Sequence, residues 1–268
     1  MGIPVMIIGK SGAGKSTSLR NFGEDELYLI KVLGKPLPFR KTFKSTFETD
    51  DYQAVAKALK KTPKEAIVID DAGYLITNHF MNNHASAGKG NGVFTLYNEI
   101  GDRFWRLVEY VINDLPSEKI VYFMMHEDKN DAGDIKPKTI GKLLDEKVCL
   151  EGMFTIVLRC MTDNDKHVFR TKTTGADVTK APIDMFEDEE MDNDLKLVDT
   201  AIREYYGLIK KQEEEAKREA KSAAKRAAAS QPHKKERWKK TGKPVAKKTK
   251  ERRDKAKSKK SVNNHKKK

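Results

Sequence analysis

The chain has few cysteines and no long hydrophobic run. Its 268 residues include only Cys149 and Cys160, too few for a disulfide framework, and this usage suits a reducing compartment. No apolar stretch approaches the roughly 18 residues of a membrane-spanning helix. No charged leader with a hydrophobic signal region is present at the N-terminus, and Met6 stands where a myristoylation signal requires Ser or Thr. We therefore expect a soluble, cytoplasmic protein that does not bind membranes.

The basic excess of the chain is confined to its last 38 residues. Residues 231–268 hold 18 lysines and arginines against three acidic residues, whereas residues 1–230 hold 35 against 37. Such a lysine-rich segment has little to bury, so it predicts a disordered tail. The tail is either a solvated extension or a binder of polyanions such as nucleic acid. Its candidate contact residues are Lys234, Lys235, Arg237, Lys239, Lys240, Lys247, Lys248, Arg252 and Arg253.

The chain begins with an apolar run followed by a glycine-rich motif. Residues 4–8 predict a strand, and residues 9–16 fit the Walker A pattern G-x-x-x-x-G-K-[ST]. Glycines let backbone N–H groups point at an anion, and the following helix adds its positive end. Lys15 is expected to reach the β- and γ-phosphates, and the Ser16 hydroxyl to bind Mg²⁺. The predicted nucleotide-binding residues are Gly9, Lys10, Ser11, Gly12, Ala13, Gly14, Lys15, Ser16 and Thr17.

A second apolar run ends in two carboxylates. In Ile67-Val68-Ile69-Asp70-Asp71, Asp70 is predicted to hold Mg²⁺ and Asp71 to orient the attacking water, as in a Walker B motif. A strand capped by a polar turn is the alternative, which the preceding phosphate loop disfavours. The next buried strand is predicted to end at His126, a candidate sensor of the γ-phosphate or a structural histidine. Glu127 and Asp128 are alternative water-orienting carboxylates.

Hydrolysis also requires positive charge on the transferring phosphoryl group, often from a neighbouring subunit. Arg170 and Lys172, two apart, are predicted on the same side of one strand, with Arg159 on its hairpin partner. These residues are candidates for a finger that acts in trans, or they are solvated strand residues.

Strands alternate with helices up to about residue 150, and a hairpin around Asp163-Asn164-Asp165 follows. This order predicts an α/β fold: a mostly parallel sheet flanked by helices, with an antiparallel extension. Helices are predicted over residues 16–22 with Gly23 as the capping glycine, 52–61, 94–112 and 195–229, and a mobile loop over 86–92. The predicted domains are an ATPase domain over 1–207, a helical extension over 208–230 and the tail over 231–268.

Several stretches together resemble a bacteriophage family of small P-loop ATPases with a RecA-like core, associated with single-strand DNA binding and annealing in recombination. The resemblance covers about residues 3–207. It rests on residues 9–16, Gly34-Lys35-Pro36-Leu37-Pro38-Phe39, Ile69-Asp70-Asp71, Met125-His126, residues 138–147 and residues 192–199.

This resemblance implies ATP and Mg²⁺ as ligands, single-stranded DNA as partner, and assembly into a ring or filament in the host cytoplasm. It implies a further strand between the phosphate-loop strand and the Asp70 strand, and His126 as the sensor. One departure is that Ile30-Lys31-Val32 lacks the carboxylate that activates water in recombinases. Asp71 is therefore the preferred candidate for that role.

Three functions remain open from the sequence. The leading hypothesis is a DNA-stimulated ATPase that acts on single strands during phage recombination or replication. A small-molecule kinase shares the phosphate loop, although no arginine-rich lid is evident. A non-catalytic nucleic-acid-binding module, stabilised by nucleotide, is the third.

Overall fold

The computed structural model describes residues 1–88, 90–141 and 143–209. The helical extension predicted over 208–230, apart from its first two residues, and the predicted tail lie outside the described residues. The strands are β1 Ile3–Gly9, β2 Leu27–Lys31, β3 Ser45–Glu48, β4 Ala66–Asp70, β5 Ile120–Lys129, β6 Ile135–Pro137, β7 Ile156–Asp163, β8 Lys166–Arg170 and β9 Glu190–Asp192. The α-helices are α1 Tyr52–Lys61, α2 Gly73–Asn83, α3 Asn91–Asp114 and α4 Leu195–Tyr205. Shorter helical turns are Ser16–Asn21, Leu143–Lys147 and Leu150–Met153.

The described strands form one mostly parallel sheet. Their order is β3-β2-β4-β5-β1-β7-β8-β9, and β6 pairs with β5. The neighbouring strands in the run β3-β2-β4-β5-β1-β7 are parallel. Strand β6 is antiparallel to β5, and β8 and β9 add an antiparallel extension beyond β7. The predicted α/β class is confirmed, and β5 is the strand expected between the phosphate-loop strand and the Asp70 strand. This order is that of a RecA-like P-loop nucleoside triphosphatase.

The central strands are buried on both faces, which explains their continuous apolar runs. In β1, Met6 and Ile8 pack in one hydrophobic cluster with side chains of α1, α2 and α3. Val5 and Ile7 point to the other face and pack in a cluster with the helical turn after β1 and with α4. Each buried aliphatic side chain contributes about 1.5–3 kcal/mol to the stability of the fold. Packing on both faces therefore holds the central strands, and with them the strand ends, in place.

Several predicted elements are confirmed. Helix α1 begins and ends where its amphipathic pattern predicts, and the Asp51 side chain caps it by accepting a hydrogen bond from the Ala54 N–H at 2.7 Å. Helix α3 covers the predicted 94–112 segment. Its start at Asn91 shortens the loop predicted over 86–92. The hairpin turn is formed by Asn164 and Asp165, both at positive φ.

Two predicted helices end at other residues than expected. The helix after the phosphate loop is a 3₁₀ turn, and extended Phe22 ends it, so Gly23 is not a left-handed capping glycine. The Lys41 ammonium instead binds the carbonyls of Arg20 and Phe22 there, at 2.5 and 2.8 Å. The helix predicted over 195–229 is interrupted, because α4 ends at Tyr205 and Gly207 takes a φ of 68°.

Within the described part of the chain, no helix has both the length and the apolar character needed to cross a bilayer.

Candidate active site

The phosphate loop closes around its own lysine. The Lys15 ammonium donates hydrogen bonds to the carbonyl oxygens of Gly9 and Lys10, at 2.7 and 2.9 Å. Lys15 is buried, and burial lowers its pKa from the ordinary value, which the negative groups nearby offset only in part. An anion inside the loop would therefore gain a close and poorly solvated positive charge.

The phosphate loop packs against β7 and against the segment that precedes α4. The Cys160 thiol donates to the Ala13 carbonyl at 2.9 Å, and the Asn193 amide donates to the Cys160 sulfur at 3.2 Å. Gly14 has a φ of 103°, and a Cβ there would lie 2.9 Å from the His167 ring and 3.1 Å from Asn193. Burial raises the pKa of Cys160 to about 12, so its thiol is a neutral packing group. Cys149, by contrast, is exposed.

The Ser16 hydroxyl and the Asp70 carboxylate meet at the edge of the sheet where β1 and β4 end. Ser16 Oγ lies 2.9 and 3.1 Å from the two carboxylate oxygens of Asp70, which is buried at the end of β4. Burial, together with the charge of Asp71, raises the pKa of Asp70. Hydroxyl and carboxylate oxygens are the ligands that Mg²⁺ prefers.

Ser16 and Asp70 can supply only part of a Mg²⁺ coordination shell, so a nucleotide would have to supply further oxygen ligands. Among the residues described, no cluster of three His, Cys, Asp or Glu side chains could hold a metal. Protein-bound Mg²⁺ commonly uses one or two protein oxygens, waters and phosphate oxygens of the substrate. Ser16 and Asp70 therefore fit the protein's share of such a shell.

Asp71 follows β4 directly and takes an unusual backbone conformation, with a φ of 59°. Its carboxylate lies 2.6 Å from the Lys35 ammonium through Oδ2 and 3.7 Å from His126 Nε2 through Oδ1. The side chain is 9% exposed, whereas that of Lys35 is 58% exposed. The hydrogen bond to Asp71 raises the pKa of Lys35. A non-glycine residue at positive φ costs about 1–3 kcal/mol and is often found at functional sites.

His126 lies beside the phosphate loop, because it pairs in register with Gly9 on the neighbouring strand β1. The expectation that its strand ends there was wrong: β5 continues to Lys129 because β6 pairs with it. Burial and the positive charge of Lys15 lower the pKa of His126. The imidazole is therefore neutral near pH 7 and can accept a proton or a hydrogen bond.

A cleft of about 500 Å³ opens beside this group. Residues of the phosphate loop, of the loop after β2, of α2 and of the end of β6 line it, including Lys10, Lys35, Tyr74, Thr77, His126 and Lys138. Because β1, β2, β4 and β5 are parallel, their carboxyl ends meet at this edge of the sheet, where α/β proteins bind ligands.

Glu127 and Asp128, the alternative water-orienting carboxylates, make other contacts than Asp71 does. Glu127 accepts hydrogen bonds from Arg159 at 2.8 and 3.1 Å, so both of its oxygens are engaged. Asp128 is exposed, and its carboxylate accepts a hydrogen bond from the Lys129 backbone N–H at 2.9 Å. Of the three candidate carboxylates, Asp71 is the one in contact with His126.

The predicted finger residues do not share one strand. Arg170 ends β8 and its guanidinium lies 2.6 Å from the Glu190 carboxylate on β9. Lys172 follows the strand, is exposed and donates to the Glu187 carbonyl at 3.0 Å. Placing Arg170 and Lys172 on one side of a strand was therefore wrong. Their action on a neighbouring subunit stays a prediction.

No role in the site was predicted for Lys35, although it stands in one of the stretches on which the family resemblance rests. Gly34-Lys35 follows β2 at the edge of the sheet where Asp70 lies, and this position was the available signal. The contacts of Cys160 and Asn193 at the phosphate loop were also not predicted, because these residues are distant from the loop in the sequence and meet it only in the folded chain.

The fold and the phosphate loop define a P-loop nucleoside triphosphatase. Residues 1–183 match the AAA domain family (AAA_24). This match spans more than half of the chain, so the protein belongs to that family, and its class is that of nucleotide-binding AAA ATPases. No curated protein matches the sequence.

Proposed function

We propose that the protein is a Mg²⁺-dependent ATPase that acts on single-stranded DNA in phage recombination or replication, in the cytoplasm of a bacterial host. The observation that carries the catalytic part is the contact of Ser16 with Asp70 beside the buried ammonium of Lys15. These are the parts that P-loop enzymes use to bind Mg²⁺ and the β- and γ-phosphates.

Each residue has a separate role in this proposal. The backbone N–H groups of residues 9–17 bind the phosphates, and Lys15 exchanges its carbonyl partners for phosphate oxygens. Ser16 and Asp70 would hold Mg²⁺, and the ion would supply positive charge to the phosphates of the bound nucleotide. Asp71 orients the attacking water and accepts its proton, and His126 lies close enough to position that water or the carboxylate.

The DNA part of the proposal is supported by charge. Residues 231–268 carry a net charge of +15, counted from 18 basic and three acidic residues. Such a segment binds phosphodiester backbones with little base preference and loses affinity as salt rises. Assembly into a ring or filament would bring a cation from a neighbouring subunit, with Arg170 and Lys172 as candidates, toward the γ-phosphate.

The test combines hydrolysis with assembly. We expect single-stranded DNA to increase phosphate release, and ATP to increase the oligomer size measured by light scattering. A protein that binds ATP and shows neither effect would overturn the proposal. Transfer of labelled γ-phosphate to a small acceptor instead of water would favour the kinase alternative, for which the cleft beside Tyr74 and Thr77 offers room.

A further inference from the structure

We propose that Lys35 is the residue by which the site distinguishes ATP from ADP. In this structure Lys35 binds Asp71; when a nucleoside triphosphate binds, its ammonium exchanges that carboxylate for the γ-phosphate. The inference rests on the proposed function, because it uses the same nucleotide site, and it adds a contact from outside the phosphate loop.

The position of Lys35 follows from the register of the sheet. Strand β2 pairs with β4 so that Lys31 lies opposite Asp70, and the loop that follows β2 therefore starts beside the end of β4. Four residues later the Lys35 ammonium lies 2.6 Å from Asp71 Oδ2. The same side chain lines the cleft together with Lys10, which belongs to the phosphate loop, and His126, which pairs with Gly9 at the start of that loop.

The two partners of this ion pair differ in burial and in side-chain length. The Asp71 side chain is 9% exposed and sits on a constrained turn, so it is held in place. The Lys35 side chain is 58% exposed at the end of a flexible four-carbon stem. If the pair separates, Lys35 is the partner that moves, and the cleft gives it space.

Charge gives the direction of the exchange. Asp71 offers Lys35 one negative charge, whereas the terminal phosphate of ATP carries about two near neutral pH and offers three strong acceptor oxygens. ADP has no γ-phosphate, so it leaves the Lys35–Asp71 pair intact. Departure of Lys35 also frees Asp71 Oδ2, so the candidate water-orienting carboxylate becomes available only with the triphosphate.

The test measures binding rather than turnover. Dissociation constants for ADP and for the slowly hydrolysed analogue ATPγS are compared in the wild type, Lys35→Met and Lys35→Arg. We expect Lys35→Met to weaken ATPγS binding about tenfold, the usual order for one charge-assisted contact, and to change ADP binding less than about twofold. Lys35→Arg should retain most of the ATPγS affinity. Lys64→Met removes a comparable ion pair, with Asp25 at 2.7 Å, before the start of β4 and should change neither constant.

The Asp71→Asn background separates direct contact from simple neutralisation of Asp71. If Lys35 contacts the γ-phosphate, Lys35→Met still weakens ATPγS binding when Asp71 is already Asn. Loss of the effect in that background, or equal weakening for ADP and ATPγS, would overturn the assignment.

Failure of the inference can be told from failure of the proposed function. ATPγS and ADP binding without any ATP hydrolysis would overturn the ATPase proposal and leave the Lys35 comparison valid. Hydrolysis with unchanged nucleotide preference in Lys35→Met would overturn only the role of Lys35. A wild type that binds neither nucleotide would overturn both.

Discussion

The Ser16 hydroxyl lies 2.9 Å from the Asp70 carboxylate, although 54 residues separate them in the chain. The contact forms because β1 and β4 both end at the same edge of a parallel sheet, with β5 between them. It joins the phosphate loop to the carboxylate of the second motif.

Substitutions of Asp70 and of Asp71 should impair hydrolysis in different ways. Because Asp70 is assigned to the metal, Asp70→Asn should raise the Mg²⁺ concentration needed for half-maximal hydrolysis about tenfold or more. Asp71→Asn should leave that concentration unchanged and lower kcat about 100-fold, since it removes the proton acceptor. Mg²⁺ titrations of phosphate release measure both. Wild-type kcat in Asp71→Asn would place the water-orienting residue elsewhere.

The buried hydrogen-bond network between α4 and β5 should make a large contribution to stability. Asp199 accepts hydrogen bonds from the Tyr122 hydroxyl and from Arg203 Nε, both at 2.8 Å. Asp199→Ala leaves the buried guanidinium without this carboxylate, so the free energy of unfolding should fall by about 3 kcal/mol. Urea unfolding measures the change, and the exposed Glu204→Ala on the same helix is the control, with an expected effect within about 0.5 kcal/mol. A change for Asp199→Ala no larger than for the control would contradict the account.

His126 should make the fold sensitive to mild acid. Its pKa is lowered in the folded chain, so the unfolded chain takes up the proton first as the pH falls below about 6.5. The contribution of His126 therefore leaves the fold most stable above that pH and lowers its stability below it. Between pH 7 and 5.5 the free energy of unfolding of His126→Gln should fall less than that of the wild type, with His84→Gln as control for loss of an exposed imidazole. Equal slopes for wild type and His126→Gln would refute the assignment.

The basic tail should control the salt dependence of DNA binding. Deleting residues 231–268 removes 18 basic side chains, so the slope of log affinity against log salt should become shallower. DNA stimulation of hydrolysis should weaken at moderate salt, whereas nucleotide affinity should not change. Fluorescence anisotropy with a labelled single strand measures the slope. An unchanged slope would locate the DNA site within residues 1–230.

The strands of the site could be predicted because their sequences are continuous apolar runs that end in functional residues. Residues 4–8 and 66–69 belong to strands that are buried on both faces. Such strands are continuous apolar runs, so they can be recognised without an alternation of polar and apolar residues. The loop motif after β1 and the carboxylates of Asp70 and Asp71 at the end of β4 then predicted the chemistry at these strand ends. Helix α1 could be predicted because its apolar residues lie on one face and Asp51 caps it.

Other elements lack such a local signal. Strand β3 is an edge strand with mostly exposed side chains, and only Leu75 and Ile76 of α2 are buried. The pairing of Arg159 with Glu127 depends on two strands that flank β1, and that of Lys35 with Asp71 depends on the β2–β4 register. No spacing within one segment encodes these contacts. Local periodicity therefore predicts the framework, whereas the ion pairs around the site require the folded sheet.

The most direct measurement is phosphate release by the wild type and Lys15→Ala, with and without Mg²⁺ and with and without single-stranded DNA. Loss of the buried ammonium beside the phosphate loop should lower turnover at least about 100-fold while the fold, followed by circular dichroism, is retained. The account predicts hydrolysis that requires both Mg²⁺ and Lys15 and that increases with DNA. Equal phosphate release by Lys15→Ala, or full activity in EDTA, would contradict it.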